Sequence, residues 1–364
     1  MTYDYSDLVP YLLFWYDRNA RILRWREEPR PYYVWVSEIM LQQTRVEAVK
    51  GYFDRFLAEL PDIKALANAE EEKLLKLWEG LGYYNRVRNM QKAAQIVMQE
   101  YGGELPADYE AIKKLPGIGS YTAGAISSIA FGIPEPSVDG NVLRVLKRVS
   151  ASFDDITKEK VKKELEEDLR QIMPKDRPGD FNQSLMELGA TVCLPNGKPL
   201  CEQCPVMHLC KAFQQGVEMQ IPVKPPKKQR KLEDRTVFVI KQGGNNPLEI
   251  VLHKRPEKGL LSGMWELPNL EGHLKEEEVR RLFGNSEIRR LPDGKHIFSH
   301  VEWRLWCYEI KLAGKALPEM IEQDSKAFTM QEIKEQISIP SAFDCCKKYM
   351  EDSVEEQKKS RKKS

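Results

Sequence analysis

The chain has 364 residues, 41% of them hydrophobic and 30% charged, which is enough apolar material for two cores and excludes disordered and fibrous classes. Lys and Arg number 56 against 55 Asp and Glu, so the net charge is +1. This balance excludes a uniformly basic, histone-like nucleic-acid binder, although it leaves binding by a local patch open.

The first 222 residues are predicted to form an all-α domain. One buried helix face is indicated by apolar residues three and four apart, namely Tyr84, Val87, Met90, Ala94, Val97 and Tyr101. A small-residue helix is predicted at 123–130, and no strand-like alternation precedes residue 230. No apolar run is long enough to cross a bilayer, and the N-terminus lacks a basic segment. We therefore expect a cytoplasmic protein without membrane association.

A change of composition separates the two halves of the chain. Residues 223–231 combine prolines with five basic side chains and are predicted to be a linker. The following residues 232–350 are predicted to form an α+β domain. Its strands are expected at 236–240, 249–253 and 298–312, with a turn at 243–246, and its helices at 275–283 and 341–350. The charged tail 351–364 is predicted to be disordered.

Four cysteines lie close together as C-x7-C-x2-C-x5-C, namely Cys193, Cys201, Cys204 and Cys210. Four thiolates in one short loop suit either tetrahedral zinc or a cubane iron–sulfur cluster. Zinc sites usually contain two CxxC pairs, whereas this loop contains one, so the spacing favours iron–sulfur. Cys307, Cys345 and Cys346 stand apart and are interpreted as small apolar core residues.

Residues 115–119 (LPGIG) form a predicted turn whose glycines, Gly117 and Gly119, would let the backbone approach a phosphate. The same sequence would also suit a plain helix–helix turn. Twenty residues later, Asp139 precedes a glycine at the start of a predicted helix, so it is expected to cap that helix.

These features resemble the helix-hairpin-helix DNA glycosylases that carry a C-terminal iron–sulfur loop. Residues 36–44 (VSEIMLQQT) and 78–84 (WEGLGYY) favour the adenine DNA glycosylases, the MutY family, within that superfamily. The resemblance implies a [4Fe-4S] cluster on the four cysteines and no catalytic metal. The family's usual first cysteine loop is one residue shorter, and the turn at 196–198 is a natural place for the extra residue.

The resemblance also implies the catalytic residues. Glu38 would protonate adenine at N7, and Asp139 would stabilise or capture the oxocarbenium sugar. Glu38 should then lie in an apolar pocket that raises its pKa, while the helix N-terminus should keep Asp139 ionised. Tyr121 occupies the position where bifunctional relatives carry a Schiff-base lysine, which favours a glycosylase without strand cleavage.

Other positions match family residues at the substrate and the DNA. Asn141 and Tyr121 match residues that contact the sugar and the catalytic aspartate, and Gln43 and Tyr83 match residues that enter the duplex when adenine is flipped out. The remaining members of these motifs are Thr44, Leu81 and Gly82. The residues that match the adenine pocket are Trp25, Arg26 and Gln183.

The second domain resembles a Nudix fold through residues 259–268 (GLLSGMWELP). Its metal-binding box is incomplete: Gly272 and Glu278 fit the first spacing, but the paired acids that would hold magnesium are missing. Nudix hydrolysis is therefore not expected. The resemblance instead assigns recognition of 8-oxoguanine to a loop between strands, with an aromatic wedge and two polar side chains at Phe298, Ser299 and His300.

The sequence thus predicts a monomeric enzyme, cytoplasmic and nucleoid-associated, that acts on double-stranded DNA containing an adenine–8-oxoguanine or adenine–guanine mispair. Two alternatives remain open: a bifunctional glycosylase and lyase similar to endonuclease III, and a non-catalytic iron–sulfur DNA-binding protein. No domain has a net positive charge, so binding is expected to depend on local groups, including the basic linker and the hairpin amides.

Overall fold

A computed structural model describes residues 3–226, 229–243, 248–314 and 316–351. The predicted tail 351–364 lies outside these residues except for Glu351, as do Lys227 and Lys228 of the linker and residues 244–246 of the predicted turn. The chain folds into two compact units. The first contains residues up to Ala69 together with Arg86–Pro226, and the second contains Glu70–Asn85 together with the chain from Lys227 onward.

The first unit is helical throughout the described residues apart from one isolated β-bridge. Its helices are α1 (Leu8–Asn19), α2 (Arg24–Glu27), α3 (Pro31–Leu41), α4 (Val46–Glu59), α5 (Ile63–Ala67), α7 (Asn85–Glu100), α8 (Tyr109–Lys113), α9 (Ser120–Ala125), α10 (Gly140–Val149), α11 (Glu159–Ile172), α12 (Pro178–Thr191) and α13 (Lys211–Gln215). The small-residue helix predicted at 123–130 is α9 followed by a π-helical turn, Ile126–Ala130. Apolar faces of α1, α10 and α12 form its core.

The second unit is an eight-stranded mixed sheet with helices on both faces. Its elements are α6 (Glu71–Leu77), β1 (Lys231–Gln242), β2 (Glu249–Lys254), β3 (Trp265–Glu266), β4 (Asn269–Glu271), α14 (Glu276–Phe283), β5 (Glu287–Arg290), β6 (Gly294–Ile297), β7 (Val301–Lys311), α15 (Glu319–Glu322), β8 (Ser325–Thr329), α16 (Met330–Glu335) and α17 (Asp344–Lys347). The long strands β1 and β7 run parallel, from Lys231 opposite Val301 to Lys241 opposite Lys311, and every other pair is antiparallel.

Alternation along β1 explains why the sheet is covered on both sides. Val237 and Val239 enter one core cluster, whereas Phe238 and Ile240 enter another, because successive side chains point to opposite faces. Helix α14 belongs to the second cluster through Val279. The all-α and α+β architecture predicted from the sequence is therefore confirmed.

Two details differ from the sequence prediction. Residues 341–350 do not form one helix: a 3-10 turn at Ser341–Phe343 leads into the single turn of α17. Glu278, which fits the Nudix box spacing, accepts the backbone N–H of Lys275 and caps α14. No helix in the described ranges is both long and apolar enough to span a bilayer.

Candidate active site

Glu38 lies on α3, a largely buried helix of the first unit. Pro31 occupies the first turn, where a missing N–H costs nothing, and all residues from Val34 to Met40 are buried. The side chain of Glu38 is therefore enclosed, and Glu38 is only 5% exposed. Burial, together with the nearby negative charge of Asp139, raises its pKa to about 7. The burial and raised pKa expected for Glu38 are thus present.

Tyr121 holds the Glu38 carboxyl in place. Its hydroxyl donates a hydrogen bond to Glu38 Oε2, an interaction that lowers the pKa of Glu38 and partly offsets burial. Burial and the charge of Glu38 raise the pKa of Tyr121 well above its usual value, so the phenol remains a donor. The resemblance placed Tyr121 against the sugar and Asp139; the structure adds this direct bond to Glu38.

Asp139 caps the N-terminus of α10, as the sequence predicted. Its Oδ1 accepts the backbone N–H groups of Asn141 and Val142, each at 2.8 Å, and its Oδ2 accepts from Asn141 Nδ2 at 2.7 Å. These bonds lower the pKa of Asp139, but burial outweighs them and the net direction is upward. The helix N-terminus thus favours ionised Asp139, as the sequence predicted, but burial opposes it.

A buried arginine supports that cap and was missed by sequence reasoning. Arg144, one turn further along α10, donates from Nη2 to Asn141 Oδ1 at 3.0 Å and to the carbonyl of Gly189 at 2.7 Å. The Asn141 side chain is thereby held at both amide atoms, because Oδ1 accepts from Arg144 and Nδ2 donates to Asp139. The only sign of this role in the sequence was a charged residue, Arg144, within an apolar helix face.

Trp25, Gln183 and Arg26 are the residues matched to the adenine pocket. Trp25 is buried edge-on against Phe53, with ring centroids 5.0 Å apart, and Gln183 is buried on α12. Arg26 donates to Glu187 Oε2 at 2.7 Å, and its charge lowers the pKa of Glu38. Glu187, also absent from the sequence prediction, is fully buried and binds Arg21 as well.

The predicted hairpin joins α8 to α9. Gly117 has φ +78°, and a Cβ there would lie 2.7 Å from Asn89 Cβ, so only glycine fits this turn. Gly119 is the extended N-cap of α9, and the space where its side chain would be is open. The turn therefore presents bare backbone at its tip, as the phosphate-binding hypothesis requires.

Two of the residues matched to duplex insertion have a strained backbone. Gln43, in the first unit, has φ +62°, and Tyr83, in the second, has φ +49°. Both side chains are exposed. Non-glycine residues in this region cost free energy and occur often at functional sites. Thr44 is half-buried after Gln43, while Leu81 is buried and Gly82 has φ +69°.

The four clustered cysteines line one cavity, together with apolar residues that include Val145, Leu188 and Val206. Arg148 donates to Cys193 Sγ at 3.2 Å and so brings a positive charge to the sulfurs.

The loop between β6 and β7 carries Phe298, Ser299 and His300, where the sequence predicted it. Ser299 and His300 are exposed, whereas Phe298 is half-buried and packs edge-on against Trp303 at 4.9 Å. Within the same unit, the Tyr83 hydroxyl and Ser299 Oγ are 2.9 Å apart. The segment matched to duplex insertion is therefore hydrogen-bonded to the proposed lesion-reading loop.

Comparisons with known families agree with this architecture. A model of the HhH-GPD superfamily base excision DNA repair protein matches residues 36–171, and a NUDIX domain model matches residues 236–348. Among solved structures, a thermostable thymine-DNA glycosylase is 29% identical, with a TM-score of 0.52, covering 57% of this chain and 96% of that one. A non-covalent endonuclease III–DNA complex is 25% identical, with a TM-score of 0.50, covering 59% and 99%.

Curated relatives match both units. The human adenine DNA glycosylase is 36% identical over 382 residues, covering 88% of this chain and 70% of the human protein. The mouse adenine DNA glycosylase is 38% identical over 372 residues, covering 85% and 72%. The carboxylate pair, the hairpin and the fused Nudix-like fold occur together in a chain with this similarity, and the protein therefore belongs to the adenine DNA glycosylase family, as a DNA N-glycosylase of base excision repair.

Proposed function

We propose that the protein excises adenine paired with 8-oxoguanine or guanine in double-stranded DNA, and that it hydrolyses the N-glycosidic bond without cutting the strand. The observation that carries this proposal is the carboxyl pair. Burial raises the pKa of Glu38 to about 7, and the nearby charge of Asp139 contributes to that rise. Asp139 itself accepts three hydrogen bonds.

The two environments assign the two roles. Of the pair, Asp139 ionises first, because its hydrogen bonds favour the charged form, and its charge then helps Glu38 keep a proton. Protonated Glu38 donates to N7 of the flipped adenine, which makes the base a better leaving group. Ionised Asp139 either stabilises the oxocarbenium sugar that develops or captures that sugar.

We propose that water finally adds to the sugar and completes the hydrolysis. Tyr121 stands where a lysine would be needed for a Schiff base, and its phenol is engaged with Glu38. Lys113 and Lys114, on the other side of the hairpin, are exposed, and Lys113 pairs with Glu110. Without an amine in the site, base release should leave an abasic site in an intact strand.

We further propose that Cys193, Cys201, Cys204 and Cys210 hold a [4Fe-4S] cluster. A bound cluster would cross-link the loop through four thiolate bonds. Arg148 ties that loop to α10, because it donates to Leu194 O at 3.0 Å as well as to Cys193 Sγ. Since Asp139 caps the N-terminus of α10, the loop and this carboxyl are attached to the same helix.

A duplex with one adenine–8-oxoguanine pair tests the catalytic proposal. Under single-turnover conditions the wild type should release adenine, and strand breaks should appear only after alkali. Glu38→Gln and Asp139→Asn should each slow release by about 10² or more, whereas Glu47→Gln, which removes an exposed acid on α4, should not. Breaks without alkali, together with a covalent protein–DNA adduct formed when borohydride reduces the Schiff base, would show a lyase instead. Absence of adenine release would overturn the proposal.

A further inference from the structure

Three cysteines outside the proposed cluster converge inside the second unit. Cys307 Sγ and Cys346 Sγ are 2.8 Å apart, and Cys346 Sγ and Cys345 Sγ are 3.6 Å apart. All three sulfurs lie within 4.8 Å of one another. We call this group the thiol triad. The sequence analysis interpreted its members as apolar core residues, which accounts for their burial but not for their convergence.

The fold brings the triad together from distant parts of the chain. Cys307 lies in β7, at the centre of the sheet, and Cys345 and Cys346 are consecutive in α17. Cys345 packs against the backbone of β6, because a Cβ at Gly294 would lie 2.4 Å from Cys345 Sγ. Glycine at position 294 therefore leaves the space that this sulfur fills.

The surroundings of the triad suit a metal ion. Cys307 and Cys346 are fully buried, while Cys345 is half-buried and gives a route from solvent. Arg290 donates to the Cys307 carbonyl at 2.8 Å, and its charge lowers the pKa of the Cys307 thiol, although Arg290 also pairs with Asp293. Soft thiolates select thiophilic ions such as Zn(II) and Cu(I).

We propose that Cys307, Cys345 and Cys346 form a binding site for a single thiophilic cation of the Zn(II) or Cu(I) type. With metal–sulfur bonds of about 2.3 Å, sulfurs on one ion are separated by about 3.8–4.6 Å, so Cys307 and Cys346 would move apart by about 1 Å on binding. A Cys307–Cys346 disulfide is the competing use of this proximity. It would engage two sulfurs and leave the third without a role, whereas one ion engages all three.

Metal titration of the full chain tests the proposal. Protein with its cluster loop loaded is reduced, freed of loosely bound metal with a chelator, and titrated anaerobically with Zn(II) against an indicator and with Cu(I) against a competing chelator. The wild type should bind one equivalent of at least one ion. Cys345→Ser and Cys345→Ala should weaken that binding at least about tenfold, since one of three ligands is lost. Ser341→Ala, on the preceding exposed turn, should bind like the wild type.

Two further readouts do not depend on glycosylase activity. Bound metal should protect the three triad thiols from alkylation together, and it should raise the Tm of the wild type but not of Cys345→Ser. If the wild type binds no more metal than the Cys345 variants, and binds it no more tightly, the proposal is overturned. So would peptide mapping that finds a Cys307–Cys346 disulfide in chain that binds no metal.

Discussion

At the scale of single residues, the site depends on two carboxyls in different surroundings. Glu38 accepts a hydrogen bond from the Tyr121 phenol, and Asp139 accepts hydrogen bonds from two backbone N–H groups and one side-chain amide. An acid that must donate near neutral pH needs a pKa near 7, and burial of Glu38 supplies it. The same burial makes Glu38 costly for the fold when it ionises.

The rate of base release should report the Glu38 pKa directly. Only protonated Glu38 can donate, so the single-turnover rate should fall as the pH rises through about 7. Tyr121→Phe removes a hydrogen bond that lowers this pKa, and its midpoint should therefore move to higher pH. Rates measured from pH 5.5 to pH 9 check both statements. Identical midpoints for wild type and Tyr121→Phe would contradict the assigned contact.

The stability of the fold should also depend on the protonation of Glu38. The pKa of Glu38 is raised from 4.5 to about 7 on folding, so native Glu38 binds a proton more tightly and stability is lost as the pH rises through that interval. The loss amounts to about 3 kcal/mol at 1.36 kcal/mol per unit. Glu38→Gln should be nearly neutral at pH 5 and stabilising by about 2–3 kcal/mol at pH 8 in denaturant unfolding. Glu47→Gln should show no such pH dependence.

At the scale of elements, close helix packing positions Asp139, the proposed catalytic aspartate. A Cβ at Gly189 of α12 would lie 2.5 Å from Asn141 Cβ on α10, so the two helices approach through a glycine. Asn141 in turn donates to Asp139. The backbone of α12 therefore sets the position of the side chain that holds the carboxylate.

Gly189→Ala should disturb that arrangement. The added methyl group must displace Asn141, which should destabilise the fold by about 1–3 kcal/mol and slow adenine release more than it weakens DNA binding. Gly51→Ala is a matched control: its Cβ would lie an ordinary 3.5 Å from Arg55 Nη1 within α4, so this change should be neutral or stabilising. Unfolding and single-turnover measurements on both variants decide the matter. Equal activity in the two would exclude the positioning role.

Sequence patterns predicted elements better than they predicted partners. The apolar periodicity of α7, the cap by Asp139 and the strand at 236–240 depend on near neighbours, and each was found. Glu187 was missed because its partners lie 161–166 positions away, and no local spacing encodes such pairs. The bond from Arg144 to Gly189 likewise spans 45 positions. The convergence of Cys307 with Cys345 and Cys346 was missed for the same reason.

At the scale of the whole molecule, the division into units differs from the division of the sequence. Sequence analysis assigned residues 1–222 to the first domain, yet Glu70–Asn85 folds with the second unit. Lys76 donates to the carbonyls of Ile333 and Ile337, and Glu79 Oε1 accepts the N–H of Ile339 at 3.1 Å. The second unit is thus assembled from two separate parts of the chain.

The β6–β7 loop should govern the choice of mispair. Phe298→Ala combined with Ser299→Ala should reduce the preference for adenine opposite 8-oxoguanine over adenine opposite guanine, because it removes the proposed reading groups and the Ser299–Tyr83 hydrogen bond. The rate at saturating enzyme should change less than that ratio. Met320→Ala, an exposed apolar residue on α15, serves as the control. An equal loss on both mispairs would contradict the assignment.

The segment Glu70–Asn85 also changes what the linker can do. A chain that joined two domains only at 223–231 would separate into independent halves when cut there. Here the N-terminal fragment retains Lys76, Glu79 and Tyr84, which bind residues of the C-terminal fragment within the second unit. The nicked protein should therefore behave as a split protein whose pieces reassemble by complementation, and a domain exchange between relatives would have to transfer Glu70–Asn85 together with the second unit.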